Sequence, residues 1–171
     1  MPLSIGNKWI GQRTVYESGS AVTTPDTLEI VATENLRGET WYKAKTGERF
    51  INRSEGLEVT GDSFCGRVVS KYPARAGEDI FISSETILLS DNAEPFNLDI
   101  VNKTISIDSS ITVPAGSYAA HLYRIEPRDT VARMIRPVSR FYVPDLGPVR
   151  IDVERMGVLV ERWELLEAVL R

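Results

Sequence analysis

Thr112-Val113-Pro114-Ala115-Gly116-Ser117-Tyr118 and, further along, Phe141-Tyr142-Val143-Pro144-Asp145-Leu146-Gly147-Pro148-Val149 are the two most informative stretches of the chain. In each, a proline and a glycine stand between β-branched or aromatic residues. Proline presets φ and lacks an amide donor, and glycine accepts the left-handed backbone that a tight turn needs. Both stretches therefore read as turns that launch a β-strand.

Working outward, the apolar pattern has period two. Ile105, Ile107, Ile111 and Val113 alternate with Thr104, Ser106, Asp108, Ser110 and Thr112, and Val149, Ile151 and Val153 alternate with Arg150, Asp152 and Glu154. Alternation of this kind predicts antiparallel strands with one buried and one wet face. Further strands are expected over residues 8–16, 27–32, 40–45, 49–53, 57–60, 66–70, 79–83, 86–89, 118–125 and 134–142. Turn residues fill the gaps, as in Glu17-Ser18-Gly19-Ser20, Lys45-Thr46-Gly47-Glu48, Ser54-Glu55-Gly56 and Ser90-Asp91-Asn92-Ala93. No strand–helix–strand rhythm and no linker interrupt them. The expectation is one all-β domain over residues 1–171, an antiparallel meander.

Two segments shape that sheet. Residues 118–125 carry apolar side chains on both faces, so the strand is covered on both sides or lies where the sheet wraps over itself. Pro137 has no ladder donor, which suggests an edge or a bulge and an incompletely closed barrel. The tail is open between two states. Val160, Trp163, Leu166 and Leu170 suit one helical face, whereas Gly157-Val158-Leu159-Val160 enters it as a strand. A final long strand is the favoured reading.

The chain has 171 residues, 42% hydrophobic and 26% charged, with a net charge of −4 and acid and base well mixed. That is enough to bury a core without disulfides or metals. No basic run marks a nucleic-acid partner. One cysteine, Cys65, allows neither an internal disulfide nor a thiolate metal site, and it reads as a small buried side chain. No stretch approaches the roughly 20 apolar residues that span a bilayer. Met1 to Gly6 lacks the basic and apolar regions of a signal peptide, so the compartment stays open between the cytoplasm and an exported protein whose signal has been removed.

The chemistry-bearing residues argue against an enzyme. The single histidine, His121, would have to serve any Ser-His-Asp triad, and no serine sits in a nucleophile-elbow context. It reads as a packed or partly solvated strand residue. Asp152 with Glu154, and Glu161 with Glu164, read as solvated surface rather than an acid/base pair. Asp91, Asn92 and Glu94 do not fit the spacing of a calcium loop. No catalytic residue, metal ligand or cofactor is expected.

Arg124, Arg128, Arg133, Arg136 and Arg140 form one arginine-rich region. It reads as a charged wet face that discourages aggregation. Should the sheet align Arg124, Arg136 and Arg140, they would form a positive stripe able to meet phospholipid head groups or an acidic partner. Among the aromatics, Trp9 and Trp163 are expected in the core near the meeting of first and last strands. Trp41, Tyr118 and Tyr123 are the candidates for a concave, ligand-facing wall. The spacing Gly6-Asn7-Lys8-Trp9 is one residue too long for the lipocalin G-x-W motif.

These segments also resemble a family of bacterial exported domains, many of them lipoproteins of unknown function. Leu3 to Trp9 resembles the family's "plxxGnxW" opening, Val113 to Tyr118 its "VPAGtF" turn, Phe141 to Val149 its "yyapGvGlVk" segment, and Val160 to Leu166 its terminal "yeL" strand. The order is the family's own and spans nearly the whole chain. The family's glycine-x-glycine is Leu146-Gly147-Pro148 here, and Asp145 and Arg150 are particular to this chain. The resemblance implies a strongly curved antiparallel sheet, an open or half β-barrel like that of the lipoprotein carriers, whose concave face holds acyl chains. It also implies a location in the cell envelope, in the periplasm or at the outer surface. The expected function is a noncatalytic exported domain binding a lipid or other amphiphile. The alternative is a structural or protein-interaction module of an envelope assembly, a monomer or a homodimer through the edge near Pro137.

Overall fold

In the computed structural model, residues 1–17, 19–61, 67–87, 96–127 and 136–171 are described. Among them the chain runs through β1 (Lys8–Glu17), β2 (Ser20–Leu36), β3 (Glu39–Ala44), β4 (Arg49–Arg53), β5 (Gly56–Thr60), β6 (Arg67–Lys71), β7 (Asp79–Ile87), β8 (Phe96–Val113), β9 (Gly116–Pro127), β10 (Val138–Val143), β11 (Gly147–Arg155) and β12 (Val158–Val169). Cys65, Arg128, Arg133 and the Asp91-Asn92-Glu94 group lie outside the described residues.

All twelve strands join one antiparallel sheet in the order β6-β5-β4-β3-β2-β1-β12-β11-β10-β9-β8-β7. The chain is a meander folded back on itself, so that its last strand pairs with its first. Bulges between Ile10 and Gly11, Phe141 and Tyr142, and Val153 and Glu154 bend the strands, as an extra residue on one side of a ladder does. The sheet thereby curls until β6 lies against β7, β8 and β9, nearly closing a barrel. The expected fold class, a strongly curved antiparallel β-meander, is the observed one.

Both decisive turns are built as tight loops. Val113 pairs with Gly116 across Pro114-Ala115. The Ala115 amide reaches the Leu165 carbonyl of β12 at 3.0 Å, tying this hairpin to the end of the chain. In the second turn Asp145 and Gly147 have φ of 61° and 110°, and the Leu146 carbonyl accepts the Trp9 indole N–H at 2.6 Å. A Cβ on Gly147 would sit 2.8 Å from that indole nitrogen, so glycine is required there by contact as well as by backbone.

The core follows from the junction of β1 and β12. Trp9 is fully buried, Trp163 nearly so, and the Trp163 ring lies directly over Gly11, where a Cβ would come within 2.3 Å of it. Ile30, Val149 and Leu165 complete this packing, with Phe50, Leu57 and Val69 from the far side of the barrel. The tail is a strand: β12 hydrogen-bonds β1 on one side and β11 on the other. Two ladders use its backbone groups between strands, which a helix would have used internally.

Three expectations need correction. Ile105 and Ile107 are exposed while Ile111 and Val113 are buried, because register shifts between Thr104 and Ser109 turn the intervening residues over. Pro137 is at no edge: it precedes β10, an interior strand between β9 and β11, and its carbonyl accepts the Glu154 amide at 2.9 Å. The sheet edges are β6 and β7 instead. Asp152 is not solvated. It is buried, and Arg150 and Arg162 both hydrogen-bond it, at 2.6 and 2.8 Å.

Candidate functional site

Among the described residues, two recesses open beside the core side chains. One, of about 280 Å³, has apolar walls of Leu28, Phe50, Val59, Val69, Ile151 and Trp163. Charge reaches it from Asp26, Glu48, Arg140 and Glu161. The other, of about 410 Å³, is polar and aromatic, bordered by Asn52, Lys71, Tyr72, His121, Tyr123 and Asp145. Tyr142 borders both. Its place follows from pairing: β10 puts Tyr142 opposite His121 and Arg140 opposite Tyr123.

The polar recess is organised around Tyr123. Its hydroxyl donates to the Lys71 carbonyl at 2.7 Å and lies 3.2 Å from His121 Nδ1. A phenol has one proton to give, and Lys71 takes it. The histidine contact then requires Nδ1–H to donate to the phenol oxygen, which leaves Nε2 as an acceptor. Tyr123 and Tyr142 meet edge to face, with centroids 6.1 Å apart. Burial, and after it Tyr142, raises the Tyr123 phenol far above its usual range. Burial likewise raises Tyr142 and lowers His121. All three side chains are neutral at pH 7.

The arginine and the lysine beside this recess are already engaged. Arg53 makes two bonds to Glu39, at 2.7 and 2.8 Å, and pairs with Glu58. Lys71 pairs with Glu78 at 2.7 Å. Among the described residues no cluster of three or more histidine, cysteine, aspartate or glutamate side chains could hold a metal ion. No helix among them is long and apolar enough to cross a membrane.

The sequence candidates are scattered by the fold. Tyr123 lines the polar recess. Tyr118 packs against the core, its hydroxyl donating to the Ala115 carbonyl at 3.1 Å across its own hairpin. Trp41 borders a separate shallow recess with Leu36, Arg37 and Thr60, and the Arg53 guanidinium sits 5.7 Å above its ring. Arg124, Arg136 and Arg140 share no stripe. Arg124 pairs across the ladder with Ser139, the neighbour of Arg140, so the two arginines fall on opposite faces. Arg124 binds Glu126 and Glu154, Arg140 borders the apolar recess, and Arg136 lines a groove with Tyr16 and Arg155.

Tyr142 is the residue that sequence reading missed. It lies in a quoted turn motif, and its pairing with His121 on one side and Pro148 on the other decides which face it takes. The only available signal was its spacing of two from Arg140, which places both on the lumen side.

No protein-family model matches the chain, and no curated protein sequence matches it. Solved structures do. A presumed exported protein with a YmcC-like fold from Bacteroides fragilis superposes with a TM-score of 0.55 at 10% identity, covering 99% of this chain and 98% of that one. A presumed lipoprotein from Parabacteroides distasonis gives a TM-score of 0.47 at 16% identity, over 99% of this chain and 97% of that one. The first likeness establishes a shared fold from end to end, which is the YmcC-like arrangement.

Proposed function

We propose that this chain is a single, noncatalytic, exported domain of the bacterial cell envelope that holds an amphipathic ligand in its lumen. The observation that carries this reading is the apolar recess, with Phe50, Val69, Ile151 and Trp163 as walls and Arg140, Glu48 and Glu161 supplying charge. Each methylene moved from water into such walls is worth about 0.8 kcal/mol, so a short acyl segment supplies useful affinity. The motif resemblance and the fold shared with a presumed exported protein support the location. A lone histidine bonded to a tyrosine and engaged cations offer no nucleophile–base pair, which supports a binding role over a catalytic one.

Native mass spectrometry of the purified protein, followed by organic extraction, is the test, with added lauric acid as a defined probe. A stoichiometric amphiphile, or lauric acid binding that Val59→Trp abolishes by filling the recess, is the expected result. A clean apo mass with no lauric acid binding would refute the reading and favour the protein-interaction alternative.

A further inference from the structure

We propose that the polar recess bordered by Tyr123 and Tyr142 is a second binding site, for a neutral polyhydroxylated ligand of the pyranose type. The proposal stands apart from the amphiphile reading because, Tyr142 excepted, it rests on different walls.

Size comes first. At about 410 Å³ the recess lies within the roughly 300–1,000 Å³ typical of small-molecule sites. Shape and chemistry follow. Tyr72, His121 and Tyr142 contribute flat rings, against which the C–H faces of a sugar ring can pack. Tyr72 is 64% exposed, at the recess mouth, whereas Tyr123 is 2% exposed, at its depth. An acyl chain would leave the polar groups between these rings unsatisfied, at a cost of about 1–3 kcal/mol each. A sugar hydroxyl both donates and accepts, so it can satisfy them. His121 Nε2 is available as an acceptor once Nδ1 serves Tyr123. The Tyr142 hydroxyl makes no hydrogen bond among the described residues and can donate or accept.

Charge then narrows the class. An anion would meet Asp145, while the arginine and lysine beside it are committed to Glu39, Glu58 and Glu78. A cation would have the rings and one exposed carboxylate, Asp145, but Arg53 and Lys71 and their partner carboxylates already satisfy one another. A neutral guest needs no charge from the lining. Burial keeps the phenols and the imidazole uncharged at pH 7, so the site presents dipoles rather than ions.

The experiment is saturation-transfer difference NMR on the full chain. The probes are D-glucose, D-galactose, N-acetylglucosamine and cellobiose at millimolar concentration, with inorganic phosphate and choline as charged competitors. At least one sugar should receive saturation. Tyr142→Phe, which keeps the ring, should weaken that binding at least threefold, and Tyr142→Ala and His121→Ala should each weaken it at least tenfold. Val59→Trp should leave it unchanged, and this variant separates the two recesses. Circular dichroism confirms that each variant is folded. The proposal is overturned if none of the four sugars receives saturation, or if transfer survives both alanine variants. Competition by phosphate or choline that Lys71→Gln or Asp145→Asn removes would also overturn it, by showing a charged guest.

Discussion

The lumen is closed on two sides by different means. Where β1 meets β12, a backbone ladder runs from Lys8↔Val169 to Val15↔Glu161, with Trp9 and Trp163 packed on its inner face. Where β6 approaches β8 and β9, side chains replace the ladder: Asn102 Nδ2 donates to the Val68 carbonyl at 2.9 Å, and the Tyr123 hydroxyl to Lys71. A ladder shares its load over many bonds whose geometry the backbone dictates. A seam of this kind depends on individual side chains, each contributing about 1 kcal/mol. The difference locates the stiff side of the barrel at β1–β12 and the yielding side at β6, beside the polar recess.

The sharpest way to break this contrast is at the tryptophan. Trp9→Ala removes a fully buried ring and the indole bond to Leu146, and should cost about 3–5 kcal/mol. That is a large part of the whole stability of a small domain. Urea unfolding measures it. A loss under 1 kcal/mol would mean that the β1–β12 junction is not where the barrel is held.

Next is the buried ion cluster on the same side. Burial alone would raise the Asp152 carboxyl, but the bonds from Arg150 and Arg162 prevail and hold it below its ordinary 3.8. A depressed carboxylate stabilises the fold above its unfolded value, and that contribution is lost as pH falls through the folded value. Stability should therefore decline as pH drops below about 4. Asp152→Asn should cost about 2 kcal/mol at pH 7 and flatten that acid limb. Thermal melts of both proteins from pH 7 to pH 2.5 would show it, and parallel curves would rule it out.

The smallest effect is expected at the seam. Tyr123→Phe deletes one donor to the Lys71 carbonyl and should cost about 1 kcal/mol. Its signature is local. Amide hydrogen exchange should quicken in β5 and β6 and stay unchanged in β1 and β12. Uniform quickening would erase the distinction between the two sides.

Much of this architecture was legible in the chain. The turns at Pro114-Ala115 and Pro144 to Gly147 and the strand character of the tail follow from local rules of turn chemistry and alternation. The lumen was harder. Tyr123, a candidate wall residue, borders the polar recess. Trp41 had the same composition signal but lies under Arg53 at a different surface. Arg124 and Arg140 looked alike in sequence and ended on opposite faces. Ile105 and Ile107 repeated the pattern of Ile111 and Val113, yet bulges turned them to solvent.

Antiparallel strands and most of their turns are already written in the residues, because proline, glycine and period-two patterning act over a few neighbouring positions. Which faces look inward, where the barrel is tied by backbone and where by side chains, and that Tyr142 borders both an apolar and a polar recess emerge only when the strands assemble. Those outcomes depend on bulges and on pairing between strands far apart in the chain. A shift of one residue in either reverses every side chain beyond it.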